Sequence, residues 1–355
     1  MNDKFNKIFK NKRIIITGHT GFKGSWLTFW LHQIGANILG ISKNIHGKPN
    51  HFKELYLKKK IKSVYLDIAN QRELKKKILK FKPDYIFHLA GQSMVKRSYD
   101  DPKLTFLTNS LGTLSLLETL RSYKRRCNVI LITSDKVYKN LEIKRGYKET
   151  DVLGGKDPYS GSKAAAETII HSYFSSFFSK QKKIRIAIAR AGNVIGGGDW
   201  NENRLIPDCV KAWSKKKKEI IRNANSTRPW QNVLDVVNGY LILATKLNKN
   251  VKFHGEIFNF GPSKEENFTV IQVVKYIEKY WDNIKWKIKK SSFFESKLLK
   301  LNSNKAQRLL KWKCKLSLKE SLKITIEWYK KYYQKKNVYK ISLETLKKYL
   351  DHKKP

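Results

Sequence analysis

Apolar residues in the first half of the chain fall into short runs that alternate with segments of helical periodicity. Six of the runs have the length and composition of buried strands: RIIITG (13–18), NILGIS (37–42), SVYLDI (63–68), DYIFHLA (84–90), NVILITS (128–134) and IRIAIAR (184–190). Between them, apolar positions recur with the period of a helix near residues 22–34, 70–81, 104–123 and 159–179. Because strands that alternate with helices usually pair in parallel through right-handed crossovers, the pattern predicts an α/β protein with helices on both faces of one sheet.

Such a doubly wound, Rossmann-type parallel sheet binds its ligands in a crevice at the carboxyl ends of the strands. After residue 191 the alternation loosens, and GGGDW, RPWQ and NFGP separate short elements. We therefore expect the second half to form a smaller substrate-binding portion. The last residues, 334–355, predict an appended helix that is exposed and dispensable.

The net charge of +45 over 355 residues raises nucleic acid or an anionic membrane as possible partners. The lysines, however, are spread along the chain in short runs at 58–60, 75–77 and 215–218, with no long basic tail. This distribution is typical of solvated lysine faces, and we expect neither a nucleic-acid nor a membrane partner.

The arginines are distributed differently from the lysines. Of 13 arginines, five lie between residues 185 and 230: Arg185, Arg190, Arg204, Arg222 and Arg228. A planar guanidinium binds phosphate at two points, which a lysine cannot do. The segment is a candidate anion site, although chance clustering explains the count equally well.

The three cysteines, Cys127, Cys209 and Cys314, lie far apart and form no CxxC pair. No apolar run approaches the roughly 20 residues that span a bilayer, and the start of the chain lacks the apolar core of a secretion signal. We expect a reducing, cytoplasmic setting. We expect no metal site.

The segment GHTGFKG (18–24) follows the first strand and opens a helix. Glycines at this spacing let the backbone approach a diphosphate at the helix N-terminus, so the segment predicts a dinucleotide loop. His19 is bulky for such a turn and is expected to narrow the approach. After the second strand, Ser42, Lys43 and Asn44 stand where an acid would select NAD, so these residues leave NAD and NADP open.

Two further segments carry candidate chemistry. TSDKVY (133–138) places Ser134, Asp135 and Lys136 where a buried strand ends. YSGSK (159–163) places Tyr159 and Lys163 one helical turn apart on one face. An adjacent ammonium is expected to lower the pKa of the tyrosine, which would let it act as a base.

Together these segments resemble the extended short-chain dehydrogenase/reductase superfamily of nucleotide-sugar enzymes. The resemblance is carried, in order up to about residue 330, by TGHTGFKGSWL (17–27), TSDKVY (133–138), DPYSGSK (157–163), RAGNVIGGGDW (190–200), RLIPD (204–208), RPWQ (228–231) and NFGP (259–262). In related sugar dehydratases the catalytic hydroxyl residue is followed by Asp-Glu. Here Asp135 is followed by Lys136, as expected of the branch that acts on CDP-glucose. HLAGQ departs from the family pattern with Gly91 in place of alanine, a change expected to lie away from the reactive centre.

The resemblance implies a lyase that converts CDP-glucose to CDP-4-keto-6-deoxyglucose with NAD as cofactor. It implies that Tyr159, with Ser134 and Lys163, takes the proton of the C4 hydroxyl. Asp135 would protonate the leaving C6 oxygen, and Lys136 would remove the C5 proton. Another nucleotide-sugar dehydratase, an oxidoreductase or a C4-epimerase of the same superfamily remains the alternative.

The resemblance also implies the contacts of both ligands. The expected cofactor contacts are Gly18, Thr20, Gly21, Phe22, Gly24, Asp67, Ile68, Leu89, Ala90, Gln92, Asn109, Thr133, Tyr159 and Lys163. Asp67 could equally be a plain strand-end cap. The expected substrate contacts are Asn193, Arg204, Arg222, Arg228 and Gln231, with Trp200 or Trp230 beside the base.

The same pattern implies three segments and an assembly. We expect an NAD-binding Rossmann domain with the catalytic residues at 1–190, an interleaved substrate-binding portion at 191–333 and a helical extension at 334–355. A homodimer through the helices near 104–123 and 159–179 is expected.

Overall fold

The computed structural model describes residues 5–143, 145–262, 268–282, 284–289 and 299–352. Within them the strands are β1 (Arg13–Thr17), β2 (Asn37–Ser42), β3 (Lys62–Tyr65), β4 (Tyr85–His88), β5 (Cys127–Ile132), β6 (Ile184–Ala191), β7 (Val194–Ile195), β8 (Glu219–Arg222), β9 (Thr227–Arg228), β10 (Gln231–Asn232), β11 (Ile257–Phe260), β12 (Phe268–Thr269) and β13 (Trp286–Lys289).

The helices are α1 (Asn6–Phe9), α2 (Phe22–Ile34), α3 (His51–Glu54), α4 (Gln71–Phe81), α5 (Val95–Asp100), α6 (Pro102–Phe106), α7 (Gly112–Arg121), α8 (Pro158–Tyr173), α9 (Leu205–Ser214), α10 (Val233–Lys249), α11 (Val270–Ile277), α12 (Leu318–Tyr333) and α13 (Val338–Asp351). π-helical turns at Leu107–Leu111 and Phe174–Phe178 join α6 to α7 and extend α8. The helices predicted near 104–123 and 159–179 are therefore continuous in space.

Seven strands of the described chain form one parallel sheet in the order β11-β6-β5-β4-β1-β2-β3. On one side of β1 the chain runs through β2 and β3, and on the other through β4, β5 and β6, so the direction of winding reverses between β1 and β4. In an open parallel sheet a ligand crevice forms at that reversal, outside the carboxyl ends of the strands. The predicted Rossmann-type sheet is confirmed.

The two faces of the sheet are covered by separate cores, because alternate residues of a strand point to opposite faces. Ile14 and Ile16 of β1 pack with α2 and α10, whereas Ile15 packs with α4, α7 and α8. β11 was not predicted from the sequence, yet it extends the sheet beside β6. The Rossmann portion therefore takes a strand from beyond residue 191, and the boundary at 190/191 remains a prediction.

The second half adds three small sheets, in which β7 pairs with β10, β8 with β13, and β9 with β12. The helix α9 packs beside β8. These elements lie after β6 in the chain, so their loops lead from the carboxyl edge of the main sheet.

The C-terminal helix α13 is packed into the protein, and the prediction that it is exposed is wrong. Leu346 and Tyr349 are at most 1% exposed. The Tyr349 hydroxyl donates to Asp235 Oδ1 at 2.9 Å. Ser342 Oγ accepts from Trp328 Nε1 at 3.1 Å and lies 3.2 Å from His51 Nε2. The apolar residues of α13 are separated by lysines, so its sequence has the pattern of a solvent-exposed helix.

The two ends of the described chain meet on one side chain. The ring of Phe5 packs on the Trp30 indole with centroids 5.9 Å apart. The ring of Tyr349 packs on the same indole at 5.8 Å. Trp30 belongs to α2, the helix that begins at the glycine loop.

Candidate active site

The glycine loop between β1 and α2 contains three glycines with different surroundings. Gly18 has φ +74°, and a Cβ there would lie 2.7 Å from Ala90 N. A Cβ on Gly24 would lie 2.1 Å from the carbonyl oxygen of Gly18. Gly21 instead is exposed, and a Cβ there would meet only that same oxygen, at 3.4 Å. The open side of the loop is therefore at Gly21.

This opening lies where α2 needs an anion. No side chain caps the helix, and its first turn has no acidic residue. The first N–H groups of a helix have no partner within it and carry partial positive charge. The loop therefore fits the diphosphate of a dinucleotide. The loop itself is fixed by Thr20, whose Oγ1 donates to Asn44 O at 2.8 Å, and by buried Phe22.

The ring of His19 does not narrow the crevice, contrary to expectation. It is buried over β2, where a Cβ on Gly40 would lie 2.3 Å from it. Its Nδ1 lies 2.9 Å from Ser42 Oγ and its Nε2 lies 2.7 Å from Ser63 Oγ. Burial lowers the pKa of His19 to about 4, so the ring is neutral near pH 7. It ties β1 to β2 and β3.

The expected adenine side of the crevice contains an ion pair. Lys43 Nζ lies 2.8 Å from Asp67 Oδ2, while Asp67 Oδ1 accepts from Ala69 N at 3.0 Å. Asp67 thus caps the chain after β3. Its contact with adenine stays a prediction. Ile68 is buried, and its Cδ1 would be 2.5 Å from a Cβ on Gly112.

The segment after β4 lies against the glycine loop and α8. Leu89 N and Ala90 N donate to the backbone and side-chain oxygens of Thr17, at 3.0 and 3.2 Å. Asn109 Oδ1 accepts from Gln92 N at 2.9 Å. These contacts place the predicted cofactor residues of this segment beside the crevice.

Gly91 touches the reactive centre, contrary to expectation. A Cβ at this position would lie 2.9 Å from Lys163 Nζ and 2.8 Å from Asn109 Oδ1. Asn109 is fixed in turn, because its Nδ2 donates to Ser162 Oγ at 2.8 Å. The missing side chain therefore makes room for the lysine amine.

Ser134, Asp135 and Lys136 lie where β5 ends. Ser134 Oγ donates to Asp135 Oδ1 at 2.9 Å and accepts from Lys136 N at 3.3 Å. Asp135 is 2% exposed, and its Oδ2 has no hydrogen-bond partner among the described residues. Burial raises the pKa of this carboxyl, with Lys136 and the Ser134 hydroxyl opposing the shift. A buried carboxyl with a raised pKa, and with one oxygen unsatisfied among the described residues, is suited to act as an acid.

Tyr159 and Lys163 lie in the first two turns of α8. The helix is capped by Asp157, whose Oδ1 accepts from Ser160 N at 3.0 Å. Burial raises the pKa of Tyr159 to about 12, with a hydrogen bond to Ser134 opposing the shift. The net effect raises the pKa of Tyr159, whereas the sequence predicted that the adjacent ammonium of Lys163 would lower it. Burial also lowers the pKa of Lys163 to about 8, with Glu167 opposing it.

The arginine cluster separates into two groups. Arg185 donates to the carbonyl oxygens of residues 247 and 248, and Arg190 is buried against Glu167, so both are structural. Arg204 lies at the N-terminus of α9 with Nη1 2.9 Å from Asp199 Oδ2. Its charge acts on Tyr159.

The charge of Arg228 acts on Asp135. Its Nη1 donates to Thr227 O at 2.8 Å. Arg222 is exposed, and its Nη2 donates to Asn203 Oδ1 at 3.1 Å, next to Arg204 in the chain. The structure thus brings two of the predicted arginines to the reactive group and leaves the third at the rim.

The remaining predicted substrate contacts differ in placement. Asn193 is half-buried, two residues beyond β6. Gln231 is 2% exposed, with its Nε2 donating to Phe260 O at 2.7 Å, so the structure does not bring it to the crevice. Trp200 packs among the rings of α12, 4.7 Å from Tyr332, and Trp230 is 5% exposed. Neither indole forms an open slot for a base.

Lys23 is a site residue that the sequence reasoning missed. It is half-buried in the first turn of α2, with no carboxylate of the described residues within 4.0 Å. Burial lowers its pKa to about 8, and the charges of Arg204, Lys163, Asp135 and Asp199 act on it. A lysine inside the glycine motif could have been noticed, because a cation is unfavourable at a helix N-terminus without an anion.

Thr133 faces away from the crevice, since its Oγ1 donates to Glu167 Oε1 at 2.5 Å. In the described ranges no group of three or more His, Cys, Asp or Glu side chains could hold a metal ion. No helix in the described part of the chain has the length and apolar character needed to cross a membrane.

The chain was compared with known proteins, and a family model matches most of its length. The model described as GDP-mannose 4,6 dehydratase matches residues 15–325. The chain belongs to this family. The CDP-glucose 4,6-dehydratase of Salmonella typhimurium is 39% identical over 328 residues, which cover 91% of this chain and 91% of that protein.

Solved structures share the fold of this dehydratase-family chain. A dTDP-glucose 4,6-dehydratase from Bacillus anthracis in complex with NAD has a TM-score of 0.75 at 22% identity, covering 91% of this chain and 98% of that one. The epimerase Mth375 from Methanothermobacter thermautotrophicus has a TM-score of 0.79 at 24% identity, covering 94% and 98%. The glycine loop, the Ser134–Lys136 segment and α8 are thus set on a sheet that dehydratases and epimerases share.

Proposed function

We propose that the protein is an NAD-dependent CDP-glucose 4,6-dehydratase, which converts CDP-D-glucose to CDP-4-keto-6-deoxy-D-glucose and water. The observation that carries the proposal is the buried carboxyl of Asp135 beside Ser134, with an oxygen that has no hydrogen-bond partner in the described part of the chain. Oxidation at C4 needs a base and a hydride acceptor, whereas loss of the C6 hydroxyl as water also needs an acid that protonates the leaving oxygen. The 39% identity with the Salmonella enzyme supports this assignment.

Oxidation is assigned to Ser134, Tyr159 and Lys163. The Tyr159 oxygen takes the proton of the C4 hydroxyl as C4 loses a hydride, which leaves a 4-ketone. The Ser134 hydrogen bond favours the ionised phenol. The positive charge of Arg204 acts in the same direction.

Elimination is assigned to Asp135 and Lys136. The ketone makes the C5 hydrogen acidic, and the Lys136 amine takes this proton. Asp135 gives its proton to the departing C6 oxygen, so water leaves and a C5–C6 double bond forms. A hydride at C6 and the proton from Lys136 at C5 then complete the product, with no net oxidation.

The cofactor contacts proposed are the glycine loop, the segment after β4 and α8. NAD, when bound there, supplies a hydride acceptor and, once reduced, a hydride donor. The open space at Gly21 and the uncapped N-terminus of α2 support its diphosphate. NAD would be preferred to NADP, because Lys43, a cation that could attract a 2′-phosphate, is paired with the Asp67 carboxylate.

Arg204 and Arg228 are proposed to bind the diphosphate of the substrate, with Arg222 at the rim. Their charges, with that of Lys23, exceed those of Asp135 and Asp199 around the reactive group. This excess of positive charge attracts a dianionic diphosphate. Guanidinium groups suit it, because each can bind two oxygens at once.

The test is incubation of the purified protein with CDP-glucose and a catalytic amount of NAD. The expected result is a 4-keto-6-deoxy sugar, no accumulation of NADH and deuterium from heavy water at C5. Comparable turnover of dTDP-glucose would contradict the assignment of cytosine as the nucleobase of the substrate. A clear preference for NADP would contradict the assigned cofactor. A C4 epimer with C6 unchanged would indicate an epimerase.

We also propose a homodimer in a reducing cytoplasm. Phe106, Leu107, Leu111 and Phe177 are between 37% and 44% exposed on the helices predicted to form the interface. An apolar surface of this kind is typical of a protein contact. The three cysteines are free and buried, as suits a reducing setting. Sedimentation of the wild type against Leu111→Lys tests the interface.

A further inference from the structure

Glu167 and Arg190 form a buried ion pair that no step of the proposed reaction uses. Their side chains are 0% and 1% exposed. Arg190 Nε donates to both carboxylate oxygens, at 2.9 and 3.0 Å, and Nη2 donates to Oε2. Burying two charges costs free energy that only good geometry and further hydrogen bonds can offset, so the partners of the pair are informative.

Those partners lie on either side of the reactive segment. Thr133 Oγ1 donates to Glu167 Oε1 at 2.5 Å. Arg190 Nη1 donates to the Tyr138 hydroxyl at 2.7 Å, and its guanidinium lies 4.7 Å from the centre of that ring. Asp135 and Lys136 lie between residues 133 and 138.

We propose that the Glu167–Arg190 pair is a positioning device for the elimination step, holding the acid and the base of the 133–138 segment in place from both ends. This rests on the proposed function. Glu167 belongs to α8, one turn beyond Lys163, and Arg190 belongs to β6. The pair therefore fixes the segment relative to the helix that carries the oxidation residues.

Other contacts of the segment do not replace this one. Val137 O accepts from Gly154 N at 2.8 Å, and Lys139 N donates to Val152 O at 2.9 Å, so the backbone is held downstream of the reactive residues. The side chains of Thr133 and Tyr138 join the segment to α8 and β6 through charged groups. A hydrogen bond to a charged group is stronger and more directional than a neutral one.

The chain offers a matched pair of tyrosines to test the proposal. Tyr138 and Tyr147 stack with centroids 5.0 Å apart and are 1% and 2% exposed. The Tyr147 hydroxyl donates to Asn140 Oδ1 at 3.0 Å and does not bond the ion pair. Tyr138→Phe keeps the ring and removes both bonds of the hydroxyl, the one it accepts from Arg190 Nη1 and the one it donates to Asn259 Oδ1, each 2.7 Å long. Tyr147→Phe is the control.

In a single turnover of the wild type with CDP-glucose, enzyme-bound NADH is expected to appear only briefly. Tyr138→Phe should prolong it and lower kcat by about 10- to 100-fold, as for a small misplacement of reacting groups, with KM unchanged. Thr133→Val should act in the same direction, and the double variant should fall short of the product of both effects. Tyr147→Phe should keep the brief NADH signal and kcat of the wild type.

The proposal is overturned if Tyr138→Phe and Tyr147→Phe lower the Tm alike and both keep the wild-type NADH signal. It is also overturned by a crystal structure of Tyr138→Phe in which Asp135 and Lys136 keep their native positions. This outcome does not depend on which nucleotide sugar is the substrate. A wild type that forms no keto sugar would instead contradict the proposed function.

Discussion

Among single residues, Lys136 distinguishes elimination from oxidation. We expect Lys136→Ala to oxidise C4 still, because Ser134, Tyr159 and Lys163 are untouched. Without the base, elimination should slow by about 10²–10⁴-fold, and bound NADH should accumulate with no deuterium at C5. Stopped-flow absorbance and mass spectrometry measure both. The matched control is Lys139→Ala, an exposed lysine three residues away. Near-native turnover and exchange in Lys136→Ala would make the lysine structural.

Gly91 gives a second prediction at this scale. In Gly91→Ala the new methyl carbon would lie 2.9 Å from Lys163 Nζ and 2.8 Å from Asn109 Oδ1, so the amine must move. We expect kcat to fall by about tenfold or more, because small misplacements of reacting groups are costly. The control is Gly161→Ala, where a Cβ would meet Phe106 Cζ at an ordinary 3.4 Å. Equal kcat in both variants would show that the amine tolerates the methyl group.

Among the elements, α13 is expected to stabilise the whole protein. Leu346→Ala should lower the free energy of unfolding by about 2–5 kcal/mol, because Leu346 is 0% exposed. Lys347→Ala, at the adjacent exposed position, should change it by less than about 0.5 kcal/mol. Denaturant unfolding measures both. Equal, small effects would return α13 to the dispensable role expected from the sequence.

The strands and long helices of the Rossmann portion could be predicted because their apolar spacing is local. The predicted run 63–68 ends three residues late, since Asp67 leaves the sheet to cap the backbone of Ala69. β11 was missed because IFNF is short and its pairing with β6 depends on residues far apart.

The site was predictable only in part. Motif spacing located Ser134, Tyr159 and Lys163. It did not show which polar side chains are bonded to buried partners and so do not face a ligand. Arg190 looked like an anion ligand until its partner Glu167, 23 positions away, was seen beside it. Gln231 likewise bonds Phe260 O, which is 29 positions away. Such pairings depend on tertiary structure, which spacing along the chain does not reveal.

Across the whole molecule, buried histidines link stability to pH. Burial lowers the pKa of His19 to about 4 and those of His51 and His88 to about 3. Between these values and about 6.5 the unfolded chain binds more protons than the folded one, so each histidine makes stability fall as pH falls. The loss is up to about 1.4 kcal/mol per pH unit per group.

A comparison with His19→Asn isolates one of these contributions from the carboxyls that titrate nearby. The variant lacks the titrating ring, so the stability advantage of the wild type should shrink as pH falls from about 7 to 5. Urea unfolding at several pH values measures this difference. A difference that stays constant with pH would mean that His19 titrates alike in both states.

The meeting of both chain ends on Trp30 has a topological consequence. Phe5 and Tyr349 pack on one indole, so the segments that contain them are neighbours in space, an arrangement that favours circular permutation. A short linker could join these two segments, and new termini could be placed in the exposed turn at 215–218, which separates α9 from β8. The circularly permuted chain would keep every strand neighbour of the native sheet.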